Sequence, residues 1–308
     1  MIFPEYRAQM ELLLRVLPYV AEEECFALKG GTAINLFHRN MPRLSVDIDL
    51  TYLPVVDRKT DLSAIAESLE RIRQSLEKGV PGIRVGKLPQ KDGSEAKLLC
   101  RLDRSEIKIE VNTTLRGCLQ KPELLTVVDA VQEEFRRFAA IHVVSSGELY
   151  GGKICAALDR QHPRDLFDIH QLFQFDGITA DIKLGFVAAL LGSPRPIHEM
   201  LSPKLLDQRE TFKTRFEGMT AESFSYETFN VTRLQLVEKI HQALSEDDKL
   251  FLLSFKQGEP GWDLYPWEGL EKMPAVQWKL LNIRKLKNQD PEKHVEQLTA
   301  LETCLESE

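Results

Sequence analysis

The stretch Arg43-Leu44-Ser45-Val46-Asp47-Ile48-Asp49-Leu50 constrains the fold most, because in it acids alternate with aliphatic residues. A strand turns successive side chains to opposite faces, so Val46, Ile48 and Leu50 anchor one face in a core while Asp47 and Asp49 share the other. Upstream, Cys25-Phe26-Ala27-Leu28 reads as a short apolar strand leading into Gly30-Gly31-Thr32, and a helix is predicted over 32–39. The glycines suit a turn whose bare backbone approaches a phosphate, with Thr32 as N-cap and the helix N–H groups facing the anion. Two carboxylates on one face form a hard-oxygen site for Mg²⁺ or Mn²⁺; Mg²⁺ holds few protein ligands and leaves positions to water and phosphate oxygens. Turn and acid strand then read as one site for phosphate chemistry.

At 308 residues, 43% hydrophobic and 28% charged, the chain is long enough for two domains and composed like an ordinary globular protein. The opening Met1-Ile2-Phe3-Pro4-Glu5-Tyr6-Arg7 has no basic segment followed by an apolar core, and no stretch reaches membrane-spanning length. The expected compartment is the cytoplasm, with no membrane partner. Five cysteines, Cys25, Cys100, Cys118, Cys155 and Cys304, are scattered and odd in number, which indicates neither a disulfide framework nor a zinc site. A net charge of −7 argues against wholesale, non-specific nucleic-acid binding and leaves only local basic patches. Lys279, Arg284, Lys285 and Lys287 form one candidate and Arg136-Arg137 another, a solvated helix face being the plainer reading of each.

Leu13, Val16, Leu17 and Val20 predict an opening helix that Pro18 should end or kink. A polar helix is predicted over 59–78. Beyond the Gly79-Val80-Pro81-Gly82 break, alternating runs fall near 83–88, 96–102 and 106–112, the last two flanking the turn residues Asp103-Arg104-Ser105. In the third run Glu110 lies on the face opposite Ile107, Ile109 and Val111, a candidate base for an attacking hydroxyl. An exposed antiparallel strand reads identically. After Ile141-His142-Val143-Val144 strand signals largely vanish, so the expected architecture is α/β (α+β). A mixed-sheet catalytic domain with flanking helices covers 1–145, and a mainly helical domain covers 146–308.

A second constellation opens that helical half. Ser145 stands three residues before Glu148, as in a capping box, and should start the helix carrying Lys153. Pro163 and Asp165 mark another helix start, with Leu166, Ile169, Leu172 and Phe173 as the buried stripe. Lys153 and Arg160, two turns apart on one face, are placed to hold a triphosphate and offset charge on leaving pyrophosphate. An ion-paired network of Arg160, Arg164, Asp165 and Asp168 joining two helices fits equally, and for Arg160 and Asp168 it is the preferred reading. Gly147-x₄-Gly152-Lys153 has the spacing of a P-loop, yet Ile154 replaces the required Ser or Thr and the capping signal puts these glycines within a helix.

Gly30-Gly31-Thr32 followed by Arg43-x-Ser45-x-Asp47-x-Asp49-Leu50 resembles the nucleotidyltransferase superfamily signature, and more narrowly the AbiEii/AbiGii abortive-infection toxin family, which includes the MenT toxins. Glu148, Lys153, Arg160, Arg164, Asp165 and Asp168 resemble a downstream motif of that family, and the resemblance covers most of the chain. It implies an NTP-dependent nucleotidyltransferase that releases pyrophosphate. Asp47 and Asp49 then hold the metal, and Gly30, Gly31, Thr32, Arg43 and Ser45 serve the nucleotide. Lys153 and Arg164 contact phosphate, the helical domain completes the active site, and Glu110 or Asp165 assists the acceptor hydroxyl. Also implied are a tRNA 3′ end as acceptor and a cognate antitoxin as partner. Nucleotidylation or phosphorylation of a protein, including the chain itself at Ser45, stays open, as does a non-catalytic nucleotide-binding module. Trp262, Trp267 and Trp278 could stack on an RNA end, with core packing the plainer reading.

Overall fold

The alternating runs of the first half pair into one seven-stranded mixed sheet. The computed structural model describes residues 4–88, 96–220 and 222–306; residues 1–3, read above for a leader, lie outside them. Two compact units result, Met1–Ser145 with Phe216–Ser223, and Ser146–Arg215 with Phe224–Glu308. No helix among the described residues is long and apolar enough to cross a membrane.

In the first unit the elements are α1 (Pro4–Ala21), β1 (Phe26–Lys29), α2 (Gly30–Ala33) continued as a π-helical turn over Ile34–His38, β2 (Asp47–Tyr52) and α3 (Arg58–Gly79). Then come β3 (Arg84–Lys87), β4 (Lys97–Leu102), β5 (Ser105–Val111), β6 (Glu123–Thr126), α4 (Asp129–Phe135) and β7 (Ala140–Val143). Their order across the sheet is β3-β4-β5-β2-β1-β7-β6. The acid strand β2 is therefore central, antiparallel to β1 and parallel to β5. Ile48 and Leu50 are fully buried, as the alternation requires. Helix α1 keeps its register through Pro18, which lies in its last turn, and buries Leu13, Val16, Leu17 and Val20. A proline so close to the end removes one backbone bond without breaking the helix.

Local pattern did not announce β6, α4 or the return of residues 216–223. In that returning segment the Met219 carbonyl accepts the Leu44 N–H at 2.8 Å, and Thr220 forms a β-bridge with Arg43. The Thr220 hydroxyl donates to the Pro42 carbonyl at 2.9 Å, and Phe216 and Met219 are buried.

The second unit is helical: α5 (Ser146–Arg160), α6 (Pro163–Phe175), α7 (Ala180–Gly192), α8 (Ile197–Leu201) and α9 (Arg209–Arg215). It continues with α10 (Tyr226–Ala243), α11 (Glu246–Gln257), α12 (Pro274–Gln289) and α13 (Pro291–Glu306). Gly147, Gly151 and Gly152 all lie inside α5, so the P-loop spacing is coincidental. Helices α5 and α7 meet backbone to backbone: a Cβ on Gly151 would fall on the Gly185 backbone, and one on Gly185 on the Gly147 carbonyl.

The C-terminal basic cluster is largely committed to helix ends. Buried Lys279 donates to the carbonyls of Leu190 (2.9 Å) and Arg195 (2.8 Å), at and beyond the end of α7. Arg284 and Lys287 donate to the carbonyls of Gly258 (2.8 Å) and Gln257 (3.0 Å), at the end of α11. A helix leaves its last carbonyls unpaired and partly negative, so cations from α12 satisfy them twice over. Trp262 packs against Phe251 and Phe255, and Trp267 against Tyr265, whereas Trp278 is 60% exposed.

Candidate active site

Strand register builds the acidic face. Asp49 pairs with Lys29 of β1 on one side and Glu110 of β5 on the other. Directly paired residues project to one face, so Lys29, Asp49 and Glu110 form a row across three strands, with Asp47 two residues away on the same face. Glu110 is ion-paired to Lys97 at 2.7 Å. Lys29 was not singled out by sequence. Burial pushes its ammonium below the usual value, and Asp49 leads the charges that oppose the shift, followed by Cys118 and Glu110. Its position directly before the glycine pair was the only signal, since nothing local says which strand pairs with β1.

The glycine turn closes on this row. Gly30 adopts φ +73°, and a Cβ there would lie 2.6 Å from the Asp49 Oδ2, so both conformation and space call for glycine. A Cβ on Gly31 would lie 2.6 Å from the Arg43 Nη2 and 2.9 Å from the Ser45 Oγ. Arg43 is buried and donates to the Leu44 carbonyl at 2.9 Å. Thr32 is not the N-cap: the helical turn starts at Gly30, and Lys29 holds the cap position without a side-chain bond. Instead the Thr32 hydroxyl, fully buried, donates to the Asp47 carbonyl and hydrogen-bonds the Ser45 hydroxyl at 3.0 Å. That bond ties the turn to the start of the acid strand.

Asp47 and Asp49 are half-buried, and each supplies hard anionic oxygen. Among the described residues no group of three or more His, Cys, Asp or Glu side chains forms a complete cage. A two-carboxylate face nevertheless fits Mg²⁺, which is commonly bound through one or two carboxylates plus substrate phosphates and water.

The second unit carries its own charge cluster. Lys153 of α5 reaches Asp165 at 2.9 Å and Asp168 at 3.0 Å, both on α6. Arg160 grips Asp165 through Nε at 2.6 Å and Nη2 at 3.0 Å. Lys153, Asp165 and Asp168 are all buried, whereas the Arg160 side chain is 62% exposed. Burial works against ionisation of Asp165, but Lys153 and then Arg160 outweigh it and hold the carboxyl well below its usual range. The preferred network reading of Arg160 and Asp168 agrees with this arrangement, and the network includes Lys153 as well. Helix α6 begins at Pro163 with His162 as N-cap, its Nδ1 accepting the Arg164 N–H at 3.1 Å.

Comparison with known proteins bears on these features together. No curated protein matches the sequence. Among solved structures the fold is similar to MenT4, a nucleotidyltransferase toxin from Mycobacterium tuberculosis H37Rv, with TM-score 0.62 and 14% identity over 91% of this chain and 93% of that one. The sequence profile described as "Nucleotidyl transferase AbiEii toxin, Type IV TA system" matches residues 11–281. With that match spanning most of its length, the chain belongs to the AbiEii family of nucleotidyltransferase toxins of type IV toxin–antitoxin systems.

Proposed function

We propose that this nucleotidyltransferase moves a nucleoside monophosphate from an NTP to the 3′ end of tRNA, and that a cognate antitoxin restrains it. The reading is carried by one observation: the glycine turn closes so tightly on the Lys29–Asp49–Glu110 row that no side chain fits at Gly30. Bare backbone beside clustered carboxylates suits a triphosphate and a divalent cation together.

Asp47 and Asp49 would hold Mg²⁺ or Mn²⁺, which when bound supplies charge neutralisation at the phosphates. Gly30 and Gly31 offer backbone to the triphosphate, while Thr32, Arg43 and Ser45, all buried, fix the turn from behind. The acceptor oxygen bonds to the α-phosphorus, the bond from that phosphorus to the β-phosphate bridge breaks, and pyrophosphate leaves with the electron pair. Of the two bases left open by sequence, Glu110 is favoured: a carboxyl held as low as that of Asp165 accepts a proton poorly. Lys153 and Asp165 enter the proposal through the family motif, as residues needed for transfer.

Buried Ser45, hydrogen-bonded to Thr32, is poorly disposed to be its own acceptor. Purified protein incubated with each labelled NTP, total RNA and total protein tests the reading. Label should enter RNA, and 3′-end sequencing of tRNA should reveal one or a few added nucleotides. Label confined to protein would refute the RNA acceptor.

A further inference from the structure

Within the helical unit lies a cavity of about 470 Å³ lined by His162, Arg164, Glu210, Thr211, Thr214 and Arg215. Every lining residue is polar. Pockets for small organic ligands are lined mainly by apolar and aromatic side chains, so this one is built for a different guest. Two guanidiniums face a single carboxylate, giving a local excess of positive charge on a chain whose net charge is −7. Guanidinium takes phosphate oxygens in pairs, and threonine hydroxyls can donate to the remaining ones.

The cavity borders the first turn of α6, a helix of 13 residues whose N-terminal dipole adds to the same sign. His162 accepts the Arg164 N–H through Nδ1 and so fixes the start of this helix at the cavity's edge. The volume leaves ample room for a phosphate group.

We infer that this cavity seats a backbone phosphate of the acceptor RNA and so helps position the strand for transfer; the inference rests on the RNA-acceptor reading. A duplex or single strand crossing it would exchange condensed counterions for Arg164 and Arg215, which makes the contact salt-dependent. Glu210 is the one lining group that opposes an anion.

The test measures binding of unmodified tRNA to the full-length protein across a salt series, beside the NTP KM. Arg215→Glu should weaken tRNA binding about tenfold and lower the salt slope by roughly 0.7–0.9 for each phosphate that is no longer neutralised. Glu210→Gln should tighten binding about threefold, an electrostatic gain of the ordinary surface size. Neither should change the NTP KM, and Arg104→Glu in the β4–β5 turn controls for charge reversal as such. Unchanged tRNA affinity and slope in both variants would overturn the inference. So would a raised NTP KM with intact tRNA binding, which would make the cavity a triphosphate seat. The acceptor reading fails separately, by wild-type protein binding tRNA without labelling it; wild-type protein that does not bind tRNA defeats both.

Discussion

At the scale of single residues, the carboxylate pair and the buried lysine make opposite demands on a mutant. Asp47→Asn and Asp49→Asn keep side-chain volume and remove only charge, so each should abolish transfer while the thermal transition stays near wild type. Transfer should also stop in excess chelator; wild-type rates in either variant would remove the metal from the scheme. Lys153 differs, because it lies between Asp165 and Asp168 and is buried with them. Lys153→Ala should therefore lower stability by about 3–5 kcal/mol, the cost of stripping a buried carboxylate of its cation, as well as impair NTP use. Charge-neutral Lys153→Met with Asp165→Asn and Asp168→Asn should recover much of the stability. If transfer returns with it, the cluster is structural only. The depressed Asp165 carboxyl adds its stability in full above its ordinary value of 3.8 and loses it only as pH falls toward the folded value.

At the scale of elements, two neighbouring glycines in α5 should respond in opposite directions. Gly151→Ala sets a methyl against the α7 backbone and should cost roughly 1–3 kcal/mol or more, read as a lower urea midpoint. A Cβ on Gly152 meets nothing within 4 Å, so Gly152→Ala should gain up to about 1 kcal/mol from helix propensity. If that variant is more stable but slower in transfer, Gly152 serves ligand approach instead. These helices show where sequence was legible. Period-two alternation gave β2, β4 and β5 to within a residue or two, and Pro163 marked the start of α6 correctly. Illegible were the features set by distant partners: Lys29 opposite Asp49, Thr32 bonded to the Asp47 carbonyl, and Lys279 capping α7. Each depends on which element lies alongside, and no local periodicity encodes that.

At the scale of the whole molecule, stability should depend on alkaline pH through two buried lysines. Burial lowers Lys256 and Lys279 from 10.5 to about 8, so just above pH 8 the folded chain has released protons that the unfolded chain still holds. Stability therefore rises with pH in that window. The urea midpoint should climb between pH 8 and 9, and Lys256→Met with Lys279→Met should flatten the climb. Above pH 9 the thiols of Cys100 and Cys155, pushed up to about 12 by burial, work in the opposite sense. The return of Phe216–Ser223 to the first unit carries a different consequence, one of timing. A ribosome making about 5–20 residues per second needs roughly 9–35 s to pass from Asp49 to Ser223. Throughout that interval the nascent toxin displays Asp47 and Asp49 without the strip that pairs with Arg43 and Leu44. Fragment 1–145 should accordingly be less soluble than the same fragment with residues 216–223 appended through a flexible linker. A polypeptide poisonous to its own maker thus stays unfinished at its acidic face until the ribosome has passed Ser223.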